Sequence, residues 1–504
     1  MLEVREITIQ QAQDGFKNGE FTAKELTSAF LERIARWDKD GPRINSTMAL
    51  SGTALEEAEA LDDYFKDNGE LKGNLHGIPV LVKDQVDTKG IVTTYGSAVA
   101  KHNVPDEDAF VVTKLKEAGA VILGKTTLSE WATPWFSANG ATDYEFTKNP
   151  YNLGHDVGAS SGGSGASVAA NFAIVAVGED TGGSVRVPSS FCNIVGLRPT
   201  PGLISRTGLC PLIKTQDTPG PMARTVTDCA LMLDCMVGFD PRDESMGSAE
   251  MAPALNLPRG GSHAAFLQDG VGKIKSATIG IVRQKFGPDS DPYCRAVNRV
   301  VLGAIDTLRS NGTTFVDVHI DDLDHYMHYL LTYLQRSRSD INSFLRTKPH
   351  LPQDIADILP ERTDVPYLST LCAMAHGPKD PNDDPTYADR IRQRDEFTRK
   401  VDWLIVSRGF DALILPDVRV PPPRFEDATN GRFMMNGEED FPTNTYLASI
   451  LRHPAISVPA GFTADGLPVG MELVGLQHQE QHLLELAYGI ETIVGGRRTP
   501  PAPL

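Results

Sequence analysis

The chain has 504 residues, with 48 Lys+Arg against 66 Asp+Glu and a formal net charge of −18. At 40% hydrophobic and 23% charged, it has the make-up of a globular protein that buries a large core without disulfide or metal staples. The acidic balance speaks against a nucleic-acid backbone binder and a cationic membrane-surface protein, and no window approaches the ~18 uninterrupted apolar residues of a membrane span.

Length alone suggests about three domains. The opening residues Met1–Glu6 show no apolar leader segment, and the six cysteines show no C-x-x-C spacing. A cytoplasmic protein with buried thiols is the expectation.

The first 70 residues read as helical. Leu26, Phe30, Ile34 and Trp37 mark one face of a helix over 23–37, with Thr22 as N-cap and Glu25 at the capping-box position. From residue 77 the rhythm changes to short apolar runs. These are 78–82, 120–123, 174–177, 278–282, 412–415, 455–458 and 469–474. Helical patterns lie between several of them, at 108–118, 226–237, 291–310 and 480–493. Such alternation predicts an α/β fold around a largely buried sheet. The region 240–400 reads as surface elaboration that shapes a pocket. It contains an irregular stretch at 240–275, a charged helical stretch at 290–346 and a proline-rich stretch at 347–388.

Two serine- and glycine-rich blocks stand out. Residues 158–167 read GASSGGSGAS and residues 180–186 read DTGGSVR. The second follows the apolar run 174–177. A strand, a Gly-Gly turn and a helix present bare N–H groups at the turn, where an oxyanion would be held. Ser184 ends that turn, in the place of a nucleophile. Lys83 ends the apolar run 78–82. A lysine buried there loses its charge readily and becomes a base. Among the histidines, His155 and His453 lie nearest such features, but neither sits in a setting that selects it as a base.

Three other motifs are weighed and set aside. Residues 158–162 match G-x-S-x-G, but the residues before them do not read as a buried strand. Residues 119–126 match G-x4-G-K-T, but the variable residues are themselves a strand, so their amides pair in a sheet. His319, His325 and His328 lie among acids without metal-site spacing, which reads as a solvated acidic face.

Taken together, these segments resemble the amidase signature family. The resemblance rests on GIPVLVKD at 77–84, GASSGGSG at 158–165, DTGGSVRVP at 180–188, CNIVGLRPT at 192–200 and DTPGPMAR at 217–224. It continues through FDALILP at 410–416 and HPAISVPAGFTADGLPVGMELVG at 453–475. It implies one large α/β domain over 1–504, with a mixed β-sheet core flanked by helices on both sides. Within it, 1–70 is an N-terminal helical segment, 77–235 the catalytic core, 240–400 a variable elaboration and 410–495 the C-terminal part of the core. It implies a Ser-Ser-Lys triad, with Ser184 as acylated nucleophile, Ser160 as bridging serine and Lys83 as base. The amides of Thr181, Gly182, Gly183 and Ser184 match the oxyanion hole, with Ser161, Asp180 and Arg186 in support. No metal or cofactor is implied.

The expected activity is a serine amidohydrolase acting on small or medium acyl amides, with esters or carbamates as side substrates. Trp131, Trp135 and Phe136 are candidates for the substrate wall. The expected partner is a small-molecule amide, with no nucleic acid and no membrane; a homodimer is left open. Two alternatives are carried. One is the A-type glutaminase component of a tRNA-dependent amidotransferase. The other is a catalytically silent binding protein on the same scaffold.

Overall fold

The computed structural model describes residues 2–247, 258–359, 368–430 and 441–501. Part of the irregular 240–275 stretch (248–257), together with Pro360 and Pro366, lies outside the described residues.

Thirteen strands are described: β1 (Thr47–Leu50), β2 (Pro79–Lys83), β3 (Val121–Thr126), β4 (Lys148–Asn149), β5 (Asn152–Asp156), β6 (Val175–Asp180), β7 (Val195–Arg198), β8 (Thr218–Ala223), β9 (Thr278–Val282), β10 (Thr314–Val318), β11 (Ala412–Pro416), β12 (Ala455–Phe462) and β13 (Pro468–Val474). Eleven of them form one sheet in the order β1-β3-β2-β6-β8-β7-β12-β13-β11-β9-β10, and β4 and β5 make a separate hairpin. The sheet is mixed. Its wings β3-β2-β6 and β11-β9-β10 are parallel, and the strands between them run antiparallel.

Helices cover both faces. Along β11, Ala412 and Ile414 join one apolar cluster, while Leu413 and Leu415 join the other. Alternate residues of a strand point to opposite faces, so both faces are buried. Burial on both faces makes such a strand a continuous apolar run in the sequence. The architecture is a single α/β domain, and the three-domain length prior does not hold.

The boundary predicted at Thr22 follows its cap. Thr22 accepts from the Glu25 amide at 3.1 Å, and the Glu25 carboxylate accepts from the Thr22 amide at 2.9 Å. The α-helix runs Ala23–Arg33, and Ile34–Lys39 winds on as a wider π-helix.

Several strands depart from the sequence reading. β1 falls within the segment read as helical. It is four residues long, too short for a period to show. β10 falls within 290–346, and β9 and β10 carry the main sheet into the 240–400 region. β7 and β8 have no counterpart among the predicted runs, and β8 (TPGPMA) reads as a turn. It is tolerated beside β6 because the ladder between β8 and β7 stops at Met222 and Ala223, leaving Pro219 and Pro221 outside it.

The other motifs fall into ordinary structure. Residues 121–126 are β3, and the buried Lys125 donates to Val86 O and to Thr88 Oγ1. The residues before the G-x-S-x-G match form β5, a hairpin strand whose first three residues are exposed. In the acidic segment Asp317 pairs with Arg283 at 3.0 Å, and His325 stacks on Tyr329.

Candidate active site

The parallel neighbours β2 and β6 open their C-terminal ends at the same sheet edge. β2 ends in Lys83, which is fully buried. Its Nζ donates to Ser160 Oγ at 2.7 Å and to the Glu179 carbonyl at 3.1 Å, and lies 3.3 Å from Glu179 Oε2. Burial holds the lysine pKa below its ordinary value, although the neighbouring acids, Glu179 foremost, act in the opposite sense.

Ser160 and Ser161 lead into the helix Gly162–Ala169. Ser161 fastens this turn to β6. Its Oγ donates to Glu179 O and accepts from Glu179 N, each at 3.1 Å. The Ser161 amide donates to Ser184 O at 3.2 Å, so the two serine blocks are joined directly.

β6 ends at Asp180, and residues 181–184 turn into the helix Arg186–Phe191. The Asp180 carboxylate accepts from Val185 N at 3.1 Å, from Arg186 Nε at 3.0 Å and Nη2 at 2.8 Å, and from Arg198 Nη1 at 2.9 Å. Burial alone would raise its pKa, but the two guanidinium groups outweigh it and hold the group ionised far below the usual range. Arg186 Nη1 also reaches Glu472 Oε1 on β13 at 2.6 Å and Thr445 O at 2.8 Å. The turn is thus anchored to the far half of the sheet.

Two glycines are required there. At Gly183, φ is +139° and a Cβ would lie 1.9 Å from Thr445 Oγ1. At Gly182 a Cβ would lie 2.2 Å from Tyr333 Oη. Among the described residues, the N–H groups of Gly182, Gly183 and Ser184 meet no acceptor. They are available to a ligand's oxygen.

Ser184 is 7% exposed and opens onto a narrow cavity. Ala132, Trp135, Tyr333, Thr370, Met374 and Tyr446 shape its wall. Of the three aromatic candidates, Trp135 is in this wall. Trp131 is buried in a stack on Tyr95, and Phe136 is packed edge-to-face on Phe441, which commits both rings to the surrounding core. His155 lies on the β4–β5 hairpin, and His453 Nε2 lies 3.0 Å from Asp402; no hydrogen bond joins either to the serines.

Sequence reasoning passed over Tyr333, Thr370, Met374 and Tyr446, which come from segments far apart in the chain. It also passed over Glu179, although an acid inside the apolar strand VAVGED was a readable signal.

The sequence pattern of the Amidase family matches residues 25–484. The chain belongs to the amidase signature family. Enzymes of this family act on carbon–nitrogen amide bonds. Among solved structures, this chain is similar to the peptide amidase of Stenotrophomonas maltophilia, with a TM-score of 0.83, 30% identity and 99% of each chain covered. A substrate complex of 6-aminohexanoate cyclic dimer hydrolase aligns with a TM-score of 0.79 at 25% identity over 98% of each chain. Among curated relatives, the A-type component of the glutamyl-tRNA(Gln) amidotransferase of Caldanaerobacter subterraneus is 31% identical over 97% of each chain. No described helix is long and apolar enough to cross a membrane.

Proposed function

We propose that this amidase is a serine hydrolase of small or medium uncharged acyl amides, with Ser184 as nucleophile, Ser160 as proton bridge and Lys83 as base. The observation that carries the reading is the 2.7 Å contact of a fully buried Lys83 with Ser160, beside a glycine turn whose serine opens onto a cavity. Neutral Lys83 takes the Ser160 proton as Ser160 takes that of Ser184. Ser184 Oγ attacks the amide carbonyl, and the N–H groups of residues 181–184 receive the oxyanion. The proton returns to the leaving nitrogen, and water hydrolyses the acyl-enzyme. Ser161, Asp180 and Arg186 hold the two turns in place.

The pH dependence follows from the lysine. Lys83 must be neutral to act, and burial lowers its pKa. Activity is expected to rise from acid to alkaline pH and to level off below the ordinary lysine value of about 10.4. A profile of kcat/KM that is flat from acid to alkaline pH would refute a lysine base.

The cavity wall supports an uncharged acyl group. Among its described residues none carries a cation or a carboxylate. Trp135→Ala is expected to raise KM for aryl amides by about tenfold while changing kcat less, through lost apolar contact. Steady-state kinetics on an aryl amide series checks this.

A second reading is favoured by the relatives named as A-type components of glutamyl-tRNA(Gln) amidotransferase. A glutaminase must bind the ammonium and carboxylate ends of glutamine, and the described wall offers no charged partner for either. Turnover by the isolated chain of glutamine against a panel of uncharged amides, esters and carbamates separates the two. Preference for glutamine by at least an order of magnitude would overturn the first reading. Failure of a fluorophosphonate probe to label Ser184 would instead identify a silent scaffold.

A further inference from the structure

We infer that Glu179 is a positioning residue for Lys83, and that a proton-ordered chain from Asp217 through Thr181 keeps its carboxylate ionised so that it sets the pH at which the amine becomes free to act. The inference rests on the proposed role of Lys83 as base.

The chain is continuous and buried. Thr181 Oγ1 lies 3.0 Å from Glu179 Oε1 and 2.6 Å from Asp217 Oδ1. Both acids are fully buried and Thr181 nearly so. A threonine hydroxyl has one proton to donate. It cannot satisfy two ionised oxygens, so one of the contacts is made by a carboxylic acid donating to Oγ1. Two buried carboxylates bridged by one hydroxyl do not both ionise.

The neighbouring cation selects which acid holds the proton, since Lys83 Nζ lies 3.3 Å from Glu179 Oε2. Asp217 Oδ2 accepts from Leu212 N at 2.9 Å and Ile213 N at 3.0 Å, which marks it as the carbonyl oxygen. Oδ1 shares the Ile213 amide at 3.0 Å and lies 2.6 Å from Thr181, so with the proton on Asp217 it is the oxygen placed to donate to that hydroxyl. The Thr181 hydroxyl donates onward to Glu179 Oε1, and Lys83 Nζ faces Glu179 Oε2. Every contact is satisfied with Asp217 neutral and Glu179 ionised. Burial pushes both carboxyls up, and only Glu179 has the Lys83 cation beside it to offset that push.

The surrounding charges leave this order in place. Asp180 is held by Arg186 and Arg198, Arg206 is paired with Asp243 at 3.1 Å, and the thiol of Cys210 is kept protonated by burial. Lys83 therefore faces one unneutralised carboxylate. That carboxylate points the amine at Ser160 and favours its ammonium form, against burial.

The test is the pH profile of kcat/KM for Glu179→Gln against the wild-type enzyme. Glutamine keeps the size and an acceptor but removes the charge, so the acidic limb is expected to move to lower pH by about one unit or more. An unmoved limb in a folded variant, or a limb moved to higher pH, would overturn the inference; a purely structural Glu179 would change the thermal midpoint alone. Asp217→Asn provides an independent check, because the asparagine amide copies the neutral acid. In wild type minus variant infrared spectra at neutral pH, a protonated-carboxyl carbonyl band is expected. Its absence would overturn the proton order. If Ser184→Ala is inactive while the Glu179→Gln limb stays put, this inference alone fails. If Ser184→Ala is active, the triad assignment fails with it.

Discussion

Ser184→Ala is expected to lower kcat on a good amide substrate by about 10⁴-fold or more and to abolish fluorophosphonate labelling. The residue is 7% exposed at the cavity mouth and makes no side-chain hydrogen bond that supports the fold among the described residues. The variant should therefore unfold at the wild-type temperature. Lys83→Ala should reach a similar kinetic loss by another route. It removes the buried group that contacts Ser160 at 2.7 Å, and the losses of the two variants should not add, because the residues act as one unit. Ser184→Ala retaining turnover within tenfold of wild type would end the acyl-enzyme reading.

Arg186→Leu is expected to destabilise the fold by about 3–5 kcal/mol, read from chemical unfolding, because it leaves buried charges without their partner. Arg186 is fully buried between Asp180 and Glu472, and it also donates to Thr445 O and Ser449 Oγ. The effect should depend on pH. Asp180 has a folded-state pKa well below its unfolded value, through Arg186 and Arg198 acting against burial. Its contribution is present above the unfolded pKa of about 3.9 and is lost as pH falls toward the folded value. The stability gap owed to Asp180 between wild type and variant should therefore narrow below about pH 4. Activity should fall as well, since the Asp180 carboxylate that Arg186 holds also accepts from Val185 N, next to the nucleophile.

The β8 strand and the cavity wall show where sequence reasoning stopped. Strands β2, β9 and β11 were legible because burial on both faces demands a continuous apolar run, and β12 and β13 by runs broken only at Ser457 and Glu472. β8 was not, because its prolines signal a turn unless it is known that the β7–β8 ladder stops at Met222, short of them. Trp135 was legible as an aromatic, but not as different from Trp131 and Phe136. That difference is tertiary: all three rings pack on other aromatics, but of the three only Trp135, stacked on Phe441 and edge-on to Tyr446, lines the cavity.

The sequence by itself determined an acidic α/β chain, and it pointed to Lys83 and Ser184, with Ser160 added by the family resemblance. It could do so because glycine density and a lysine at the end of an apolar run are local features. Only the tertiary structure decided what surrounds them. Glu179 and Asp217 meet across one threonine hydroxyl, and Tyr333, Met374 and Tyr446 converge on Ser184 from separate segments. The physical reason is the same in each case. Which carboxyl keeps its proton, and which ring becomes a wall, depends on neighbours that approach only when the sheet has formed.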